Sequence, residues 1–93
     1  MEYRRNARRD DREYSLTDDE ARAIMSRPCH YCGYKGSPYI GMDRKDNALG
    51  YTISNVVACC TTCNTAKMAM SYEAFWAHQH RVAAYINKIT FTY

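Results

Sequence analysis

The sequence lacks a long apolar run, an apolar N-terminus and any low-complexity tract. Its longest apolar stretches, such as 56–60, are far shorter than the roughly 20 residues that cross a bilayer, so no transmembrane helix and no membrane partner is expected. The charged start, MEYRR, lacks the apolar region of a secretory signal peptide, so we expect a cytoplasmic, reducing compartment, in which disulfides are rare.

Length and composition favour one small folded domain over residues 1–93. The chain has 93 residues, 46% of them hydrophobic and 25% charged, and chains split into several domains only beyond about 250 residues. A chain of this size buries only about 60 to 65% of its unfolded surface. A structural metal is therefore a plausible supplement to its core.

The cations are unevenly placed although the net charge is only +3. Five arginines lie in the first twelve residues, and four of them follow helical i, i+3, i+4, i+7 spacing: Arg5, Arg8, Arg9 and Arg12. If residues 1–14 contain a helix, this stripe suits contacts with DNA phosphates. The alternative is a solvated basic arm that Asp10 and Asp11 partly neutralise.

Local signals predict an α+β order of elements. Thr17 and Glu20 form a capping-box pattern before a helix over about 18–26. Two short strands, 38–42 and 55–58, are expected to pair antiparallel. Helices are expected from about 60 to 70 and from 72 to 88, the second within a C-terminal helical region 71–88 in which Phe75, Val82 and Ile86 make one apolar face. The alternating residues 89–93 predict a further strand or a dimer contact.

Cysteine spacing gives the most specific local signal. Two CxxC pairs, Cys29 with Cys32 and Cys60 with Cys63, have the spacing of a tetrahedral Zn²⁺ site. A rubredoxin-like iron site and reduced buried thiols are the alternatives. Cys59 could replace its neighbour as a ligand, but the CxxC register favours Cys60.

The stretch GMDRKDNALGYTISNVVACCTTCNTAK, residues 41–67, resembles the zinc-bound HNH endonucleases. This family has a ββα-metal (His-Me finger) fold, in which a hairpin and a helix surround one catalytic divalent ion. The resemblance covers residues 29–67 and predicts a small α+β ββα-metal domain with a structural four-cysteine zinc site and flanking helices.

The resemblance also implies roles for individual residues. Asp43 matches the acidic metal ligand, and Asn64 matches the ligand on the helix; both offer the oxygen atoms that Mg²⁺ or Mn²⁺ prefers. Asn55 matches an asparagine that hydrogen-bonds the backbone across the loop. The alternative for Asp43 and Asn64 is turn formation and helix capping.

Position 44 departs from the family. Most members have there the histidine that deprotonates the attacking water, whereas this chain has Arg44, which stays protonated. A less common branch with the same Asp-Arg pair is similar and uses a tyrosine, for which Tyr14 is the first candidate. The reserves are His30, Tyr34 and Tyr39. Alternatively, metal-bound water ionises unaided and Arg44 clamps the phosphate.

These residues together predict a metal-dependent DNA endonuclease of the HNH type, related to restriction or phage enzymes. Lys45 and Lys67 are further expected phosphate contacts. The main alternative is a non-catalytic zinc-ribbon DNA-binding module with a degenerate site. One ββα-metal site cuts one strand, so a staggered double-strand break would require a homodimer.

Overall fold

The computed structural model of the protein describes residues 2–9 and 12–90, apart from the side chains at positions 2, 4, 6, 9 and 90. In chain order, this part of the chain contains α1 (Glu2–Arg9), α2 (Asp18–Met25), β1 (Gly41–Arg44), β2 (Val56–Cys59), α3 (Thr61–Lys67) and α4 (Tyr72–Thr90). The predicted α+β class is confirmed.

The two strands form an antiparallel sheet, as predicted. Asp43 pairs with Val57, and Arg44 pairs with Val56. The first strand begins three residues later than the sequence predicts and includes two charged residues that the polar pattern assigns to the following loop. They can lie in a strand because both find partners there: Asp43 is buried against an ammonium group, and Arg44 donates to loop carbonyls.

Alternation along the strands divides the core into two clusters, because neighbouring side chains point to opposite faces of a sheet. One face packs against α2; its buried residues are Leu16, Ala21, Ile24, Met25, Met42, Val56 and Ala58. The other face meets the cysteine-rich segments and α4; its buried residues are Cys29, Tyr31, Cys59, Cys60, Cys63 and Phe75. Asp43 lies on this second face, since Met42 beside it faces α2.

The capping box predicted before α2 is present. The Glu20 amide donates to the Thr17 hydroxyl at 3.0 Å, and the Thr17 amide donates to the Glu20 carboxylate at 2.8 Å. These bonds satisfy two amides that the first turn of a helix leaves open. The helix therefore begins at Asp18, where the sequence places it.

The N-terminal segment belongs to the domain. In α1, the Tyr3 hydroxyl accepts the Met42 amide of β1 at 2.9 Å. Further along, the Tyr51 amide donates to the Glu13 carbonyl at 2.8 Å, and the Ser15 amide donates to the Tyr51 carbonyl at 3.0 Å. The predicted basic arm is thus a helix followed by a short segment that runs beside residue 51.

The bounds of the two C-terminal helices differ from their predictions. α3 ends at Lys67, before a left-handed Met68 (φ 48°), instead of continuing to residue 70. α4 includes Ile89 and Thr90, so these two residues are helical rather than a strand, and 91–93 lie outside the described residues.

The apolar face predicted for α4 is buried only at its start. Phe75 is 1% exposed, whereas Val82 and Ile86 are 38% and 49% exposed. The rest of the domain therefore covers the predicted apolar face only near Phe75. Among the described helices, none combines the length and hydropathy that a membrane span needs.

Candidate functional site

The four cysteines of the two CxxC pairs meet in one cluster. The sulfur atoms of Cys29, Cys32, Cys60 and Cys63 all lie within 4.8 Å of one another. Two of them, Cys32 Sγ and Cys60 Sγ, are 3.7 Å apart. Tetrahedral zinc with bonds of about 2.3 Å separates its sulfurs by about 3.8 Å, so the spacing suits Zn²⁺. Cys59 is buried outside the cluster, as the CxxC register predicts.

Local backbone geometry aims these thiols at one point. Cys29 Sγ accepts the Cys60 amide at 3.4 Å, and Cys60 Sγ accepts the Cys63 amide at 3.4 Å, which makes Cys60 the N-cap of α3. Burial raises the pKa of Cys29, whereas the backbone amides that point at its sulfur lower it. The amides together have the larger effect, and the pKa falls to about 7. Amides that favour a thiolate also favour a metal-bound sulfur, since metals bind the deprotonated form.

Asp43 lies in a buried polar cluster on the same face of the sheet. Its Oδ2 accepts the Tyr31 hydroxyl at 2.8 Å and lies 3.2 Å from the Lys67 ammonium. Asp43 is 9% exposed and Lys67 is fully buried. The sequence predicts Lys67 as a phosphate contact; the structure corrects this, because its ammonium is enclosed beside Asp43 rather than at the surface.

Tyr31 is the residue of this cluster that sequence reasoning missed. Burial raises the pKa of its phenol, and the hydrogen bond to Asp43 raises the pKa further, so the hydroxyl stays protonated and donates. In the sequence, Tyr31 lies between Cys29 and Cys32, which predicts only that it is near the four-cysteine cluster. No local pattern in the sequence indicates that it contacts Asp43.

Asn55 fixes the loop between the strands. Its carboxamide accepts the Asp46 amide at 3.0 Å and donates to the carbonyls of Asp46 and Gly50 at 3.2 and 2.9 Å. These three bonds cross the loop in the way that the family resemblance implies. Asn55 is 5% exposed, so its role here is to hold backbone.

Arg44, where most HNH endonucleases have a histidine base, hydrogen-bonds the loop between the strands. Its guanidinium donates to the carbonyls of Asn47 and Leu49 at 2.6 and 2.9 Å. The same group lies 5.5 Å from the centre of the Tyr51 ring. The permanent charge of Arg44 is therefore held in place beside the site, where it can attract an anion but cannot accept a proton.

The candidate bases lie in three different places. Tyr14 is half-buried, with its ring 5.6 Å from that of Tyr51. His30 Nε2 is 2.8 Å from the Tyr72 hydroxyl, and burial together with Lys45 lowers the pKa of its imidazole. Tyr34 and Tyr39 line a cavity of about 540 Å³ beside the cysteine cluster.

A larger cavity, of about 700 Å³, opens between the loop and the start of α4. It is lined by polar residues of the loop, by Asn55 and by Tyr72. Lys45 borders it, with its ammonium 5.8 Å from the centre of the Tyr72 ring. Asn64 is exposed on α3, one turn before Lys67 and on the same helix face.

The arginine stripe is only partly a free surface. Arg5 and Arg8 are exposed, whereas Arg12 is half-buried and donates to the Asn47 carbonyl at 2.8 Å. The Arg9 side chain lies outside the described residues. Two of the four predicted cations thus face solvent in the part of the chain that the structure describes.

Comparison with known proteins places this geometry in context. No protein-family model matches the chain. An uncharacterized protein of Acanthamoeba polyphaga mimivirus is 36% identical over 64 residues, which are 68% of this chain and 12% of the viral protein. The solved structure of the rare-cutting HNH restriction endonuclease PacI superposes with a TM-score of 0.68, covering 89% of this chain and 72% of PacI at 20% identity. The chain has the fold of an HNH endonuclease.

The HNH fold gives the two clusters a common frame. The hairpin supplies Asp43, the helix that follows it supplies Asn64, and the cysteine cluster holds the start of that helix. At 20% identity the likeness to PacI concerns the fold alone, and the chain spans about one eighth (12%) of its viral relative.

Proposed function

We propose that the protein is a metal-dependent DNA endonuclease that hydrolyses phosphodiester bonds, in the manner of a sequence-specific restriction enzyme. The observation that carries the proposal is an HNH fold in which β1 carries a carboxylate and α3 carries a carboxamide, with two members of a four-cysteine cluster at the start of α3. This function places the protein with DNA, in the cytoplasm of a cell that a virus or phage infects.

Zn²⁺ is the structural metal in this proposal. Four sulfur ligands and no carboxylate in the cluster match closed, tetrahedral structural zinc sites. The buried members would stay away from substrate, and Cys32 forms the exposed edge. The zinc would hold the start of α3, and with it Asn64, against the hairpin.

Mg²⁺ or Mn²⁺ is the catalytic ion in this proposal, held by Asp43 and Asn64. The donor set fits, because both side chains offer hard oxygen atoms, and among the described residues the two groups that approach Asp43 are both directed at Oδ2. A divalent ion held there would neutralise charge on the phosphate and on the leaving oxygen. Asn55 would position the loop, and Arg44 would present its charge to the phosphate.

Tyr14 is the proposed general base. Its ring lies 5.6 Å from that of Tyr51, and the Arg44 guanidinium lies 5.5 Å from the same Tyr51 ring. A cation near a phenol favours the phenolate. Solvent ionising unaided is the alternative. For the DNA backbone, we propose contacts from Arg5, Arg8 and Lys45, with Arg9 and Arg12 as further members of the stripe.

The test is cleavage of several long viral and plasmid DNAs by zinc-loaded protein, with Mg²⁺, with Mn²⁺ and with a chelator. Asp43→Asn and Asn64→Ala each remove one proposed ligand of the catalytic ion, and Lys35→Met, at an exposed position, is the control. Discrete fragments that require metal and both residues support a sequence-specific enzyme. Nicked circles would indicate single-strand cutting, and a linear product with sedimentation of a dimer would support paired subunits.

A non-catalytic DNA-binding module is the second candidate. It is favoured by the ammonium that already neutralises Asp43 and by Arg44 at the position of the base. DNA that shifts on a gel but stays intact under every metal condition would support this module and contradict the nuclease.

A further inference from the structure

Lys67 has an unusual position for a lysine. Its side chain is fully buried, on the short helix α3, and the only carboxylate that the described residues bring to its ammonium is that of Asp43, at 3.2 Å. Lysine is almost never fully buried without a partner, because removing its charge from water is costly. The pair with Asp43 is therefore what allows Lys67 to stay inside.

The pairing is incomplete. Lys67 Nζ makes no hydrogen bond of acceptable geometry within the described residues, although its charge lies close to the carboxylate. The well-directed bond to the same oxygen comes from the Tyr31 hydroxyl, at 2.8 Å. Lys67 thus contributes charge rather than a directed contact, which is also what a metal ion contributes to a carboxylate.

The same carboxylate is the proposed ligand of the catalytic ion, and the other ligand, Asn64, stands one helical turn before Lys67. Two cations held by one carboxylate repel each other strongly where the surroundings exclude water. We propose that Lys67 is the internal counter-ion of Asp43 in the metal-free protein and that it competes with the divalent cation for this carboxylate. The inference rests on the proposed function, because it assumes that the ion binds at Asp43.

Competition sets how much metal the protein needs. When binding requires a state in which the ammonium has left the carboxylate, the apparent dissociation constant is the intrinsic one divided by the fraction of that state. Removing the ammonium would abolish this cost. Lys67 would then be a positioning residue that tunes metal affinity, and its loss would tighten binding, whereas loss of a ligand would weaken it.

The experiment measures Mn²⁺ binding to zinc-loaded protein without DNA. Electron paramagnetic resonance gives the concentration of free Mn²⁺ at each step of a titration. Lys67→Met keeps the length of the side chain and removes the charge. We expect it to bind Mn²⁺ at least about fivefold more tightly than the wild type, the lower end of typical coupling between sites. Lys35→Met, which removes an exposed charge, should bind like the wild type, and Asp43→Asn should bind more weakly than either.

A second measurement uses the wild type alone, in case Lys67→Met does not fold. The Cε and Nζ resonances of Lys67 are followed by NMR as Mg²⁺ is added. We expect them to shift in proportion to metal occupancy, toward those of an exposed lysine, while the resonances of Lys35 stay unchanged.

Equal Mn²⁺ affinity of the wild type and Lys67→Met would overturn the inference, and so would Lys67 resonances that stay fixed at metal saturation. Either result can occur together with Mg²⁺-dependent cleavage, and then only the role of Lys67 is lost. If neither protein binds Mn²⁺ and neither cuts DNA, the proposed metal site and the proposed function both fail.

Discussion

Arg12 and Arg44 donate hydrogen bonds to the same acceptor, the carbonyl oxygen of Asn47, at 2.8 and 2.6 Å. One guanidinium reaches this atom from the N-terminal segment, and the other reaches it from β1. Asn55, just before β2, holds the same loop. The N-terminal segment and both ends of the loop therefore fix its backbone, and two permanent charges lie at its edge.

Gly50→Ala should loosen this loop. A Cβ at position 50 would meet the backbone of Glu13, with its amide nitrogen 2.7 Å away and its carbonyl oxygen closer still. The N-terminal segment would have to move away from Tyr51, which costs about 1 to 3 kcal/mol of the free energy of unfolding. Urea unfolding measures this cost, and the exposed neighbour Leu49→Ala is the control. Unchanged stability would mean that residues 12–15 do not pack on the loop.

Asn55→Ala should cost more stability than its small change in volume suggests. It removes three hydrogen bonds and leaves the amide and carbonyl of Asp46 and the carbonyl of Gly50 without them. Each buried polar group left unpaired costs about 1 to 3 kcal/mol, so we expect a total of about 3 kcal/mol in urea unfolding. The exposed Ser54→Ala should change the free energy by less than about 0.5 kcal/mol. Equal effects of the two variants would contradict the role of Asn55 in the loop.

Removal of the structural metal should unfold the domain. Binding of structural zinc contributes apparent free energies of about 10 to 16 kcal/mol in small zinc domains, which equals or exceeds the net stability of about 5 to 15 kcal/mol that is typical of folded domains. Cys60→Ser and chelation should both abolish the cooperative melt seen by circular dichroism, together with the bound zinc seen by mass spectrometry. Cys59→Ala, beside it but outside the cluster, should keep the zinc and cost about 1 to 2 kcal/mol. Loss of zinc from Cys59→Ala would reverse the ligand assignment.

Tyr14→Phe should abolish cleavage while DNA binding survives. General base catalysis contributes about 10²- to 10⁴-fold, and phenylalanine keeps the ring packing against Tyr51. Cleavage rates and gel shifts at equal zinc content measure the two effects separately. Tyr85→Phe, at an exposed position of α4, is the matched control. Full activity of Tyr14→Phe would move the role of the base to solvent or to the His30–Tyr72 pair.

Features that depend on neighbouring residues could be predicted from the sequence. The capping box needs only Thr17 and Glu20, three residues apart, and it is present as predicted. Each CxxC pair brings its own two sulfurs close together. Two such pairs have the spacing of a zinc site, and this predicts the cluster of Cys29, Cys32, Cys60 and Cys63.

Features that depend on distant partners could not be predicted. A charged residue in a polar segment predicts a loop, so the local pattern does not place Asp43 in a strand. Its burial depends on contacts with Lys67 and Tyr31. The spacing of the apolar residues late in α4 predicts an apolar face. Whether Val82 on that face is buried depends on whether other segments of the domain reach it. In both cases the deciding quantity is a contact between segments, and local patterns carry no information about it.

Cys60 ends the hairpin, caps α3 through its sulfur and belongs to the four-cysteine cluster. α3 has seven residues, whereas an isolated helix needs about 12 to 15 to be even marginally stable in water. The stability of α3 therefore comes from its contacts with the rest of the domain, and the sulfur cluster at its start is one of them. A newly made chain without its metal carries every residue proposed for cutting DNA but not their arrangement.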